Sequence, residues 1–431
     1  MKILIIGAGA AGMMAAITAA RAGAEVSVYE QNEKPGKKLF ITGKGRCNLT
    51  NASDSANHLS SVVSHSKFLY SAENGFDAYQ TMEFFEQLGV DLKTERGARV
   101  FPKSDHSSDV IRALEYECKR LGVKIFLNTK VSGLLTEPLE QGKDEEQTEK
   151  KKKKEKRRTA RIVGIRLSGG KNVMADKVIL ASGGVSYPAT GADDSGLRMA
   201  KACGHTITDL YPALVPFVCK QAWVRELAGL SLRNIAITIK DGKKVLYEEF
   251  GEMLFTHRGV SGPVILSASS FVSAKLAEKE LTLLIDLKPA LDEETLDRRL
   301  IRELEDGGTK QIKNVMRTLL PHSLIDSVLQ MAGVDGDLPA SQIDKKRRNA
   351  IRDTLKGFCM TVTGTEGFEQ AIVTRGGIAT NEIDPSTMES KLIQGLYVAG
   401  ECIDVDALTG GFNLQIAWSC GYKAGMCAAM R

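Results

Sequence analysis

The sequence has no C-x-x-C pair, although cysteine occurs at positions 47, 118, 203, 219, 359, 402, 420 and 427. With its thiols scattered and only six histidines in 431 residues, it offers neither a dithiol redox centre nor a zinc site, and a reduced, cytoplasmic setting is expected. No apolar run is long enough to span a membrane. A broad excess of one charge is missing too. The net charge of +5 arises largely from residues 150–158, where eight of nine positions are Lys or Arg. A nucleic-acid footprint needs basic residues spread over one face, so nucleic acid is not expected as a partner, and no metal is expected either. What remains, 43% hydrophobic and 26% charged residues, is ordinary for a chain that buries the cores of two or three domains.

The first thirty residues carry the strongest pattern. An apolar run, Ile3 to Ile6, stops at Gly7-Ala8-Gly9-Ala10-Ala11-Gly12 and passes into an alanine-rich helical stretch. The glycines fall at G-x-G-x-x-G offsets: the first allows a tight turn, the second admits a pyrophosphate, and the third lets helix pack on strand. A second strand, 25–30, ends on Glu30, followed by Gln31. An acid about 20 residues past the glycines suits ribose hydroxyls and disfavours a 2′-phosphate. A secretory signal would also open on Lys2 and an apolar, alanine-rich stretch, but three glycines interrupt this one and it runs through Arg21 into a strand.

Next come Lys38 and Leu39, and the turn Thr42, Gly43, Lys44, Gly45, Arg46, Cys47 and Asn48, whose amides and cations suit an anion. Cys47, having no partner, reads as an inert thiol. Residues 75–89 and 106–121 have helical spacing. Strand-like segments at 123–127, 130–135 (with Val131), 161–167 and 171–174 form a meander that returns to the sheet at 177–180. It ends on Ala181-Ser182-Gly183-Gly184, small residues that permit close approach to a dinucleotide. Residues 137–160, acidic then basic, read as a solvated hairpin extension.

The fold expected is α/β, with a split cofactor domain at 1–190 and 368–431. Residues 191–291 form an inserted β-rich part, with strands at 232–240, 243–250 and 281–287. Residues 292–367 form a helical part, with Asp292 and Ser341 as N-caps. The return strand closes on Gly400-Glu401. Asp404 follows, then Gly410, Gly411, Phe412, Asn413, Leu414 and Gln415 ahead of a helix at 416–430. A glycine turn at a helix N-terminus suits the flavin end of an extended FAD.

TGKGRCN at 42–48, FTHRGVSGP at 255–263, TRGGI at 374–378 and GECIDVDALTGGFNLQIAWSCG at 400–421 together resemble the BaiN and aminoacetone-oxidase group of NAD(P)/FAD-dependent flavoproteins. The resemblance implies a glutathione-reductase-type FAD domain split by an insertion with a β-barrel-like and a helical part. This chain departs from the group's usual GGRCN or GNGRCN at Gly43-Lys44-Gly45, and from DVDG at Asp404-Val405-Asp406-Ala407. Neither change touches a central glycine pair.

FAD brings the hydride chemistry, and the protein positions it. A pyridine-nucleotide disulfide reductase would carry a second dinucleotide fingerprint and a redox dithiol, and both are missing. NAD(P)H, if it is the donor, therefore binds transiently. The substrate side is assigned to His257, Arg258 and Arg375, a proton-transfer imidazole and two carboxylate-clamping guanidiniums. His257 reads equally well as a hydrogen-bonded hinge residue. The expected function is an FAD-dependent oxidoreductase of a small organic molecule, reducing an enone or oxidising an amine. Alternatives are a flavin oxidase of a small amine that uses oxygen, and an FAD-binding module that docks to or modifies RNA through residues 150–158.

Overall fold

A computed structural model describes residues 1–139, 158 and 160–430. Most of the hairpin extension expected at 137–160, with its basic run, lies outside the described residues. The chain divides into two compact units, Met1–Tyr211 with Ile372–Arg431, and Pro212–Ala371. The short helix Ser195–Ala202, expected in the insertion, belongs to the first unit.

The first unit is built on a five-stranded parallel sheet. Its order is Leu396–Val398, Lys177–Leu180, Lys2–Ile6, Glu25–Tyr29, Lys124–Phe126. A parallel sheet covered on both faces needs continuous apolar strands; Ile3, Leu4 and Ile5 are accordingly fully buried. The first helix, Ala10–Arg21, packs against the last, Phe412–Ala429. Glycine permits the contact: a Cβ on Gly421 would lie 2.4 Å from the Ala11 carbonyl oxygen, and one on Gly425 2.5 Å from that of Ala15.

The meander is present as the antiparallel strands Val131–Pro138, Ala160–Leu167 and Asn172–Met174. The helix expected at 75–89 is Ala78–Gln87, opened by a capping box of Asp77 and Gln80 just after helix Ser66–Gly75 ends. Helix Ser107–Arg120 presents the buried Glu117 to Arg21 at 2.6 Å and Arg120 at 2.6 Å. These guanidiniums, Arg120 foremost, hold the Glu117 carboxyl down at about 2.

The second unit holds a closed six-stranded barrel in the order Phe217–Cys219, Gly259–Ser261, Lys244–Phe255, Ser231–Asp241, Leu281–Asp286, Phe358–Thr365. The sixth strand lies in the stretch expected to be helical, and it closes the barrel by pairing with both Leu281–Asp286 and Phe217–Cys219. Barrel and helices are not separate parts, because Ile237, Phe255 and Met360 share one buried cluster with Leu300, Leu324 and Leu355. Asp292 caps its helix by accepting from Thr295 N–H at 2.7 Å. Ser341 lies instead in the 3-10 turn Ala340–Gln342, and the following helix, Lys345–Lys356, is capped by Asp344. No described helix is long and apolar enough to cross a membrane.

Candidate functional site

The three fingerprint glycines meet three different surroundings. Gly7 has φ 101°, and a Cβ there would stand 2.4 Å from the Ala181 carbonyl oxygen. A Cβ on Gly12 would stand 1.9 Å from the oxygen of Gly7, whereas one on Gly9 would meet nothing within 4 Å. The turn is thus closed from below and open above its second glycine, at the N-terminus of helix Ala10–Arg21, where a pyrophosphate is favoured. The Ala181-Ser182-Gly183-Gly184 turn lies against it, and Ala10 and Ala11 keep the first helical turn small.

Glu30 is buried at the end of its strand. Its carboxylate accepts from Ala8 N–H at 2.8 Å, Asn32 N–H at 2.9 Å and the Asn32 amide at 2.8 Å. It therefore braces the glycine turn. Gln31 donates to Gly191 O at 2.5 Å. Val131 is buried at the start of the meander.

Residues 42–48 take a strained path, with Lys44 and Cys47 both in the left-handed region at φ 59°. Thr42 donates to Leu39 O at 2.6 Å. Arg46 is engaged within the protein: it pairs with Asp105 at 2.6 Å and with Glu95, and lies over the Phe101 ring at 4.2 Å. Its charge is therefore matched by carboxylates of the chain itself. Cys47 is fully buried, and burial pushes its thiol up to about 12. All eight cysteines are free.

The 42–48 turn and the C-terminal glycine turn are fastened together. With its amide oriented by its partners, Asn48 accepts from Gly411 N–H at 3.0 Å and donates to Thr50 O at 3.2 Å. The Asn51 amide donates to Gly410 O at 3.1 Å, and Thr50 donates to the buried Gln415 at 2.7 Å. Asn413 folds back on Ala407, donating to its carbonyl at 2.7 Å. Phe412 meets the His58 ring edge-on at 5.0 Å. Leu414 is partly buried against the core.

His58 sits beneath this turn, with Nε2 2.8 Å from Asn51 O and Nδ1 3.1 Å from Glu73. Burial opposes its charge, but the hydrogen bond to Glu73 and the nearby carboxylate prevail and raise its pKa.

A second junction joins Lys38 to Glu401 at 2.7 Å, with Ser186 2.6 Å from the same ammonium. Glu401 also accepts from Thr374 N–H at 2.8 Å, and the Thr374 hydroxyl accepts from Val185 and Ser186 N–H at 2.9 and 3.0 Å. Gly184 has to be glycine here, since a Cβ would fall 2.4 Å from the Thr374 hydroxyl. A Cβ on Gly400 would press on Ala11 at 2.7 Å. Ser186 lies in no quoted motif, and Thr374 opens TRGGI without being marked as a site residue; this junction gives both their roles.

Of the substrate-side residues, Arg375 is half-buried in the first unit, and its charge acts on the buried Asp406. Burial pushes the Asp406 carboxyl up, opposed by the Ser64 hydroxyl and Arg375. Asp404 pairs with His65 at 3.2 Å. His257 and Arg258 are exposed in the second unit between strands Lys244–Phe255 and Gly259–Ser261, and Arg258 pairs with Glu366 at 2.7 Å. His65, which pairs with Asp404, lies in no motif, and Asp406 stands in the quoted Asp404–Ala407 stretch without being singled out there.

Ser390, His205 and Glu382 line up at 2.9 and 3.3 Å like a nucleophilic triad. All three are buried, and the Ser390 hydroxyl accepts from Leu392 and Ile393 N–H, so the arrangement is a structural knot. No group of three or more metal-ligating side chains is found among the described residues.

The glycine turns, the open space over Gly9 and the acid at Glu30 fit FAD. The family model described as HI0933-like protein Rossmann domain matches residues 1–427. A 3-dehydro-bile acid delta(4,6)-reductase of Clostridium scindens is 33% identical over 100% of this chain and 99% of its own length. A ribosomal RNA dihydrouridine synthase of Escherichia coli is 31% identical over 96% of this chain and 95% of its own. Among solved structures, the 3-ketosteroid delta1-dehydrogenase of Sterolibacterium denitrificans shares the fold, with TM-score 0.50 and 15% identity over 99% of each chain. The chain belongs to the HI0933-like family and is an FAD-dependent oxidoreductase.

Proposed function

We propose that the protein reduces a carbon–carbon double bond conjugated to a carbonyl in a small organic substrate, drawing electrons from NAD(P)H bound transiently. The main support is that two full-length relatives at 33% and 31% identity carry names describing the same bond change. A 3-oxo-Δ4,6 system and the C5=C6 bond of uridine are both alkenes polarised by a carbonyl. FAD supplies hydride chemistry when bound. Gly9, Glu30 and the helix N-terminus of Ala10–Arg21 would hold its dinucleotide. The turns at 42–48 and 409–415, fastened by Asn48 and Asn51, would hold the flavin end. Arg375 would orient the substrate carbonyl and favour negative charge on its oxygen.

NAD(P)H is assigned a transient role because no second dinucleotide fingerprint is found in the sequence. Anaerobic stopped-flow tests the reading: NADH or NADPH should bleach the flavin, and a 3-oxo-Δ4 steroid should restore it faster than oxygen does. Rapid reoxidation by oxygen after bleaching by an amine would instead identify an oxidase. A second substrate, uridine in RNA, is favoured by the dihydrouridine synthase relative. Dihydrouridine formed in ribosomal RNA, with the steroid left unreduced, would select it.

A further inference from the structure

We propose that His65, steadied by Asp404, is the acid that protonates the substrate in this reduction; the inference rests on the proposed reading as a conjugated-alkene reductase. His65 is a non-glycine residue in the left-handed region, with φ 57°. It occupies the N-cap of helix Ser66–Gly75 without making a side-chain capping bond. Ser, Thr, Asn or Asp there would typically contribute about 1 kcal/mol through such a bond. The position therefore carries backbone strain and forgoes the cap, the combination that marks functional sites.

The ring is directed elsewhere. Its Nε2 lies 3.2 Å from Asp404, while Nδ1 has no hydrogen-bond partner among the described residues and half of the side chain is exposed. Only His58, His65 and His205 have a carboxylate within 4 Å among the described residues, and the other two are buried. The segment bearing His65 is bonded to residues 406–408, which lead into the 409–415 turn: Val63 N–H donates to Asp406 O at 2.8 Å, and Leu408 N–H to Ser61 O at 2.9 Å. An imidazole fixed by one nitrogen, with the other unpaired among the described residues on a half-exposed ring beside the turn that would hold the flavin end, is placed to give a proton.

The balance closes without a further reactant. Bound reduced FAD would supply the hydride to the substrate β-carbon and the two electrons the alkene gains, the π electrons passing to the carbonyl oxygen. His65 would give the proton to the α-carbon of the resulting enolate and regain one from water, to which half of its side chain is exposed; NAD(P)H, named in the proposed function, would be the reductant of the flavin.

The test uses the holoenzyme and two variants that the left-handed backbone tolerates, His65→Asn and His65→Gly. Flavin reduced anaerobically with dithionite is mixed with a 3-oxo-Δ4 steroid and with uridine-containing RNA. Reoxidation by whichever substrate serves the wild type should slow by about 10²- to 10⁴-fold in both variants. FAD affinity, the flavin spectrum and the rate of dithionite reduction should stay within threefold, and added imidazole should partly rescue His65→Gly. Independently of turnover, diethyl pyrocarbonate should label His65 in wild-type holoenzyme, and a saturating substrate should protect it while exposed His106 and His322 remain labelled. Reoxidation within threefold of wild type, loss of FAD in both variants, or no protection of His65 would overturn the assignment and leave the reductase reading standing. A wild type that no conjugated carbonyl reoxidises would overturn that reading, and this assignment with it.

Discussion

Replacing Gly9 by valine and Gly12 by alanine separates cofactor binding from folding. At Gly9 the backbone is extended, with φ −82° and ψ −169°, and a Cβ meets nothing within 4 Å. Valine therefore costs the apoprotein only the loss of a neutral N-cap, about 1 kcal/mol or less, but its methyl groups fill the space the pyrophosphate needs. At Gly12 the added Cβ would stand 1.9 Å from the Gly7 oxygen and 3.5 Å from Ala181 Cβ. The helix must then shift off its strand, at about 1–3 kcal/mol or more. Differential scanning fluorimetry of the apoproteins should show Gly9→Val close to wild type and Gly12→Ala several degrees lower, at roughly 2–4 °C per kcal/mol. Fluorescence titration with FAD should show Gly9→Val weakened at least ~100-fold, or about 2.7 kcal/mol. FAD binding by Gly9→Val within threefold of wild type would refute the placement of the pyrophosphate, and equal destabilisation by both changes would refute the open space.

Glu30→Ala removes an acceptor for three N–H bonds, so apoprotein stability should fall by about 1–3 kcal/mol; on the proposed placement of the ribose, FAD affinity should fall a further ~10- to 100-fold, read by fluorescence titration. An unchanged apoprotein midpoint would show that the Ala8 bond contributes nothing. Glu117 titrates near 2 when folded, below its usual value, so its contribution of about 2–3 kcal/mol is present above pH 4.5 and lost as pH falls toward 2. Glu117→Gln should flatten the acid limb of stability against pH, measured by chemical denaturation. His58 has the opposite sign: its raised pKa gives stability that is full below about 6.5 and lost as pH rises through the folded value. Glu73→Gln should abolish that loss, and an identical alkaline slope in the variant would dismiss the pair.

Local features were the legible ones. Ile3 to Gly12 and Glu30 are legible because strand, turn and helix lie within one stretch, and the close approach of Gly12 to Gly7 is set within that stretch. Strand Phe358–Thr365 was hidden because its short alternation follows a helix and only the closing of the barrel decides its partner. The helix at 75–89 is legible from its apolar spacing, and only its start differs, because the Asp77 and Gln80 capping box opens it at Ala78. Arg46 looked like an anion ligand in isolation. Glu95 and Asp105, which neutralise it, come from distant sequence and leave no mark beside it. Lys38 and Glu401 were both singled out, yet nothing in a linear reading pairs residues so far apart.

The edge strand Leu396–Val398 and helix Phe412–Ala429 give the order of synthesis a structural meaning. The first helix emerges from the ribosome hundreds of residues before the partner that covers it, while Pro212–Ala371 is already complete with its own core. Domains fold as their chain becomes available, so the inserted unit has its whole core in hand before the first unit receives Leu396–Val398 and Phe412–Ala429. Removing residues 396–430 would therefore take away both the edge strand and the helix that covers Ala10–Arg21, and leave the sheet of the first unit open on that side.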